Sequence, residues 1–184
     1  MRVENGTLFM SEAQRPEGWP EITPVGKVEL KERPAFRVAV AEASSGSDGE
    51  GRLFGTLFKH IQDRDIPMTA PVTMTRSSVG QMESMGFMYE NLNVGSVGAA
   101  GGAEVHDRPS ANVLSTGLRG GYSAKSYANG LARLQNYLKG KEHLQSIGEP
   151  VYMGYNSPFV PEFLKYAELQ IEVSEEAQTE LPAK

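Results

Sequence analysis

The sequence predicts an α+β fold of mostly antiparallel strands with two helices, built as a pseudo-twofold duplication of β-β-α-β-β. Three observations predict it. Two segments match without gaps 75 residues apart, an amphipathic helix follows each, and strand-like runs flank each helix.

The matching segments are Val28-Glu29-Leu30-Lys31-Glu32-Arg33-Pro34 and Ala103-Glu104-Val105-His106-Asp107-Arg108-Pro109. A strand-like run follows each: Phe36, Val38 and Val40 alternate in the first, and residues 112–117 are less regular. Gly/Ser-rich loops (44–51 and 117–123) then lead into helices. In helix one, Leu53, Phe54, Leu57, Phe58 and Ile61 share a stripe, with Ser47 or Asp48 available as a cap. In helix two, Tyr127, Leu131, Leu134 and Leu138 do the same, between a Ser123 cap and a Gly140 stop. Next come Ile66-Pro67-Met68 and Glu149-Pro150-Val151, each opening a strand. Met68, Ala70, Val72 and Met74 form one face of the first, and its prolines, which cannot donate to a ladder, predict an edge or a bulge. Residues 84–90 close the first half; Ala167, Leu169, Ile171 and Val173 alternate in the strand closing the second. A duplication of this kind predicts a ligand cleft at its pseudo-twofold axis.

Residues 1–24, polar with Pro16, Pro20 and Pro24, read as an N-terminal arm without regular elements. Residues 25–173 form the single domain, with halves 25–92 and 103–173 joined by the Gly-rich stretch 93–102. Residues 174–184 read as a disordered acidic tail.

The 184 residues suffice for one ordinary core. The net charge of −5 argues against nucleic acid, and basic runs no longer than two residues argue against a polybasic membrane anchor. Zero cysteines exclude disulfides, thiolate zinc sites, iron–sulfur clusters and covalent c-type haem. With no apolar leader and no run of spanning length, the sequence predicts a cytoplasmic protein. No Gly-x-Ser-x-Gly elbow, His-Glu-x-x-His motif or phosphate-loop ending occurs. Neither a catalytic constellation nor a metal-ligand spacing is therefore expected.

Pro67-Met68-Thr69-Ala70-Pro71-Val72-Thr73-Met74 resembles the Met-Thr-Ala-Pro-Val strand of the SOUL haem-binding-protein family. Gly154-Tyr155-Asn156-Ser157-Pro158-Phe159 is similar to its Gly-Tyr-Asn-x-Pro segment, Ala167-Glu168-Leu169 to its closing strand, and residues 54–62 to its first helix. The resemblance covers roughly residues 25–173 in the family's order. It implies a distorted β-barrel flanked by two helices, related to gyrase-inhibitor-like ligand-binding domains. It also implies non-covalent binding of haem or a related tetrapyrrole in an apolar groove beside helix one. The family's axial histidine, on the first strand, is replaced here by Glu32, after a one-residue gap.

The expected groove residues are Leu53, Leu57, Phe58, Lys59, His60, Arg64, Met68, Met74 and Glu168. Leu53, Leu57 and Phe58 supply apolar surface, and Met68 and Met74 a soft polarisable wall; core filling is the plainer role for the methionines. Lys59 and Arg64, with Arg52, offer cations to ligand carboxylates, unless they are simply solvated. His60 is the best-placed candidate axial ligand, because the family groove runs along helix one; His106 pairs by duplication with Lys31, and His143 follows helix two. Glu168 either reads a ligand or belongs to an exposed strand face with Gln170 and Glu172. A small hydrolase using Glu168 with Tyr152 or Tyr155, and a protein-interaction module, are the competing functions. The segment 154–159 is expected to be structural, with Phe159 and Phe163 folding over the barrel end.

Overall fold

A computed structural model describes residues 1–44, 49–77 and 80–175. Its first half contains β3 (Val28–Arg33), β4 (Phe36–Glu42), α1 (Glu50–Gln62), β5 (Val72–Arg76) and β6 (Met82–Met88), preceded by a hairpin of β1 (Arg2–Glu4) and β2 (Thr7–Phe9). The short β7 (Gly98–Ala100) occupies the join. The second half contains β8 (Ala103–Arg108), β9 (Ala111–Arg119), α2 (Ala124–Lys139), β10 (Leu144–Gly154) and β11 (Tyr166–Glu175). The expected β-β-α-β-β order therefore occurs twice.

Nine strands make one sheet in the order β3-β9-β11-β10-β5-β6-β4-β8-β7. Apart from β7 this order is symmetric about the β5–β10 pair, and the register repeats as well. Val38 of β4 faces His106 of β8, just as Val113 of β9 faces Lys31 of β3. Each half thus lends its first strand to the other half, which locks the duplication into one unit. The sheet does not close into a barrel. It must nevertheless curl, because Pro34 and Ala35 alone connect outermost β3 to β4 near the opposite edge. The Arg33 guanidinium accordingly lies 5.0 Å from the centre of the Phe36 ring.

The two prolines expected to force an edge or a bulge sit just outside β5, which begins at Val72 and runs centrally between β10 and β6. The ladder needs N–H donors, so the strand starts where the prolines end. In β10 the strand begins earlier than expected, at Leu144, and its register shifts between Ile147 and Val151, around Pro150.

Both helices pack on one face of the sheet. Leu53, Leu57 and Ile61 of α1, with Leu134 of α2, join Leu114, Tyr152 and Leu169 in the larger core. The Ser123 hydroxyl caps α2 by accepting from the Ser126 N–H at 3.1 Å. The expected caps of α1, Ser47 and Asp48, lie outside the described residues. So does most of the expected acidic tail, since β11 continues to Glu175.

The other face is covered by residues 1–25, which carry more structure than their polar composition suggested. Phe9, Trp19 and Ile22 are buried against Phe36, Met88, Met153, Tyr155 and Tyr166. Gly117 makes this approach feasible: a Cβ there would lie 2.2 Å from the Thr23 carbonyl oxygen. Among the described residues, no helix is long and apolar enough to cross a membrane.

Candidate ligand cleft

An apolar cleft of about 480 Å³ opens between the N-terminal half of α1 and the chain just after β10. That volume lies inside the ~300–1,000 Å³ range of small-molecule sites. Its floor is central: Met74 pairs with Tyr152 across the pseudo-twofold, and Met85 stands beside Met74. Phe54 and Phe58, stacked with centroids 5.9 Å apart, form one wall; Met68, Thr69 and Ala70 form the next. Tyr122, Gly154 to Pro158 and Lys165 stand opposite, and Glu12 to Gln14 of the arm complete the rim. A larger depression of about 1070 Å³ beside Glu42, Glu50, Arg76 and Glu83 is lined mainly by polar and charged residues.

Local chemistry fixes the cleft's shape. A Cβ on Gly154 would sit 2.8 Å from the Met74 methyl carbon and 3.1 Å from the Tyr122 ring, so glycine keeps the floor tight without a clash. Asn156 accepts from the Tyr166 N–H at 2.7 Å and donates to the Met10 carbonyl at 2.7 Å. The Tyr122 hydroxyl donates to the Asn156 carbonyl at 2.7 Å, and burial pushes its pKa up, so it stays a donor. Phe159 and Phe163 do not fold over the end of the sheet. They are 95% and 73% exposed, because Val160 between them takes the inward position.

The expected groove residues divide. Phe58, Met68 and Met74 meet in the cleft. Leu53 and Leu57 lie behind it, buried in the core. Lys59 points outward and pairs with Asp63 at 2.7 Å. Glu32 is exposed on β3 opposite Asn112. Helical spacing put Leu53, Phe54, Leu57 and Phe58 on one stripe, and the structure splits it into a sheet-facing half and a cleft-facing half. The chain near Asn156, Tyr122 and Lys165 went unassigned to the cleft, although the Gly-Tyr-Asn motif marked its place.

His60 and Arg64 face a separate depression of about 450 Å³ bounded by residues 94–100. The imidazole is 3% exposed, with Nε2 2.7 Å from the Tyr89 hydroxyl and Nδ1 3.3 Å from the Ala100 carbonyl. Burial holds its pKa below the ordinary 6.5. As pH falls below 6.5 the unfolded chain takes up this proton before the folded one, so stability is complete above that value and declines below it. Melting temperature should therefore drop on acidification from about pH 6.5 to 5, and the drop should shrink in His60→Gln. An equal drop in that variant would assign the acid sensitivity elsewhere.

Glu168 lies on the arm-covered face, 1% exposed. Its carboxylate accepts from the Thr23 N–H, from the Tyr155 hydroxyl at 3.0 Å and from Gln170 at 3.0 Å, while the Tyr166 hydroxyl, 3.1 Å away, has the Thr23 carbonyl as its nearer acceptor at 2.6 Å. The Lys31 ammonium stands 3.3 Å away. Burial, reinforced by the Glu168 charge, pushes both tyrosine pKa values up, which keeps the hydroxyls as donors. The alternative of an exposed strand face fails because the arm lies over it. Tyr155 links the two regions, since it lines the cleft and its hydroxyl bonds Glu168. Tyr152 faces the helices instead and bonds Ser126 at 3.0 Å.

A family model described as SOUL heme-binding protein matches residues 19–172. No curated protein sequence matches the chain. Among solved structures, the EcmrR C-terminal domain superposes with a TM-score of 0.62 at 15% identity, covering 82% of this chain and 98% of that domain. A hydrolase from Listeria innocua gives a TM-score of 0.58 at 10% identity, covering 83% of this chain and 94% of the other. EcmrR in an EcmrR–DNA complex matches equally well, with this chain spanning 58% of its length. At these identities the likeness concerns the fold.

Proposed function

Because the chain belongs to the SOUL heme-binding protein family, we propose that it binds a flat apolar ligand, haem or a related tetrapyrrole, in the cleft beside α1. One observation carries this reading. The two segments that most resemble the family, 67–74 and 154–159, come from opposite halves of the chain and line the same cleft. The lining suits the faces of a macrocycle through Phe54, Phe58 and Met74. It offers no imidazole, so binding rests on apolar contact rather than histidine ligation. The hydrolase alternative needs Glu168 open to water, whereas it is 1% exposed and its oxygens accept from Thr23, Tyr155 and Gln170.

Haemin titration followed at the Soret band tests this. Phe58→Ser and Met68→Ser together should weaken binding about tenfold or more, equivalent to about 1.4 kcal/mol of lost contact. His60→Ala should change affinity little. Affinity insensitive to the cleft pair, or a six-coordinate spectrum abolished by His106→Ala or His143→Ala, would place the ligand elsewhere.

A further inference from the structure

We propose that residues 11–14 form a strap that lifts to admit the flat ligand and then closes over it, a role that rests on the cleft reading above. The span bridges the two cleft walls that come from opposite halves of the chain. On one side, the Glu12 carboxylate accepts from the Ser157 N–H and hydroxyl, both at 2.8 Å. The Met10 carbonyl, just before the span, accepts from the Asn156 amide at 2.7 Å. On the other side, Gln14 forms a parallel bridge with Thr69, and its carbonyl accepts from the Ala70 N–H at 2.9 Å. The strap therefore ties wall to wall at the rim of the cleft. The α1 wall cannot yield instead, because Leu53, Leu57 and Ile61 beneath it are buried in the larger core. A rigid macrocycle that needs a wider mouth depends on the strap.

The span can release without undoing the rest of the arm. Ser11, Glu12 and Gln14 are exposed, and Ala13 is partly buried against the smaller core. A depression of about 410 Å³, bounded by Arg2 and residues 11–15, leaves open space beside it. Few buried apolar contacts and solvent-exposed hydrogen bonds mark the segments that open locally. Firm anchors stand at both ends. Phe9 is buried, and Arg15 donates to the two Glu4 oxygens at 2.5 and 3.1 Å and to the Pro20 carbonyl at 3.1 Å. Opening is thus a local motion between two held points, with Trp19 and Thr23 still docked. Glu12, Ala13 and Gln14 line the cleft, so a seated ligand meets them on closure and escapes more slowly.

Amide hydrogen exchange of the ligand-free chain tests the opening itself. The Ala70 and Ser157 amides both donate to the strap and should share one protection factor, at least about tenfold below that of Thr23. The chain has no cysteine, so Glu12→Cys with Ser157→Cys supplies the only thiols. Bridging them with a bis-methanethiosulfonate should raise Ala70 protection about tenfold, although Ala70 lies on the other wall. The bridged protein should also take up haemin at least about tenfold more slowly than the same protein after reduction and desalting. Ala70 and Ser157 as protected as Thr23, or equal uptake by bridged and released protein, overturns the strap alone. Haemin affinity insensitive to Phe58→Ser with Met68→Ser removes the cleft reading, and the strap's role with it.

Discussion

Replacing Glu168 with Leu should lower folding stability by about 3–5 kcal/mol, the usual cost of removing one partner from a buried charged network. The carboxylate is the common acceptor for Thr23, Tyr155, Gln170 and Lys31. Its loss strands the buried Tyr155 hydroxyl and takes one of two carboxylates from Lys31, whose side chain is 9% exposed and which keeps Glu29 and the Glu21 carbonyl. Glu168→Gln should cost less, because an amide oxygen still accepts while the charge attraction to Lys31 is lost. Urea unfolding of the three proteins checks the order. Equal stability in wild type and Glu168→Leu would mean that the carboxylate is not the keystone of this face.

Gly117→Val should expel the arm. A Cβ at that position would meet the Thr23 carbonyl at 2.2 Å and the Pro24 carbonyl at 2.6 Å, and both are backbone atoms with no rotamer to change. The loss should reach at least the ~1–3 kcal/mol typical of overpacking, because moving the arm also withdraws the Thr23 N–H from Glu168. The two substitutions should therefore be non-additive. Trp19, the only tryptophan in the chain, is 8% exposed and donates to the Tyr155 hydroxyl at 3.3 Å, so it reports directly. Its emission should shift to the red in Gly117→Val. Unchanged emission would show that the arm stays docked.

The duplication was legible because it is written in register as well as in composition. The match of Val28–Pro34 to Ala103–Pro109 becomes the paired edges β3–β9 and β8–β4. The Met-Thr-Ala-Pro-Val and Gly-Tyr-Asn segments carried the family resemblance, but the second was expected to be structural, and it is the fold that brings both to one cleft. What escaped was whatever depends on the third dimension. The arm lacks periodicity since it lies across the face of the sheet rather than forming a helix or a ladder within it. Its apolar signals were the short Leu8-Phe9-Met10 run and the single Trp19 and Ile22. Glu168 then looked solvent-facing, as alternation alone assigns the face opposite Ala167 and Leu169 without saying what covers it. His60 belonged to the right helix but to its far side, where Tyr89 and Ala100 hold it. Phe159 and Phe163 looked like end caps because a sequence does not show which of three neighbouring apolar residues turns inward.

The location of the ligand is tested most directly by backbone amide shifts recorded during addition of haemin or its diamagnetic zinc analogue. Residues 54–58, 68–74, 122 and 154–158 should shift or broaden together in a saturable manner, and Glu168 should respond only through Tyr155. Perturbations centred on His60, Tyr89 and residues 94–100 would contradict the cleft assignment, as would a spectrum that does not change.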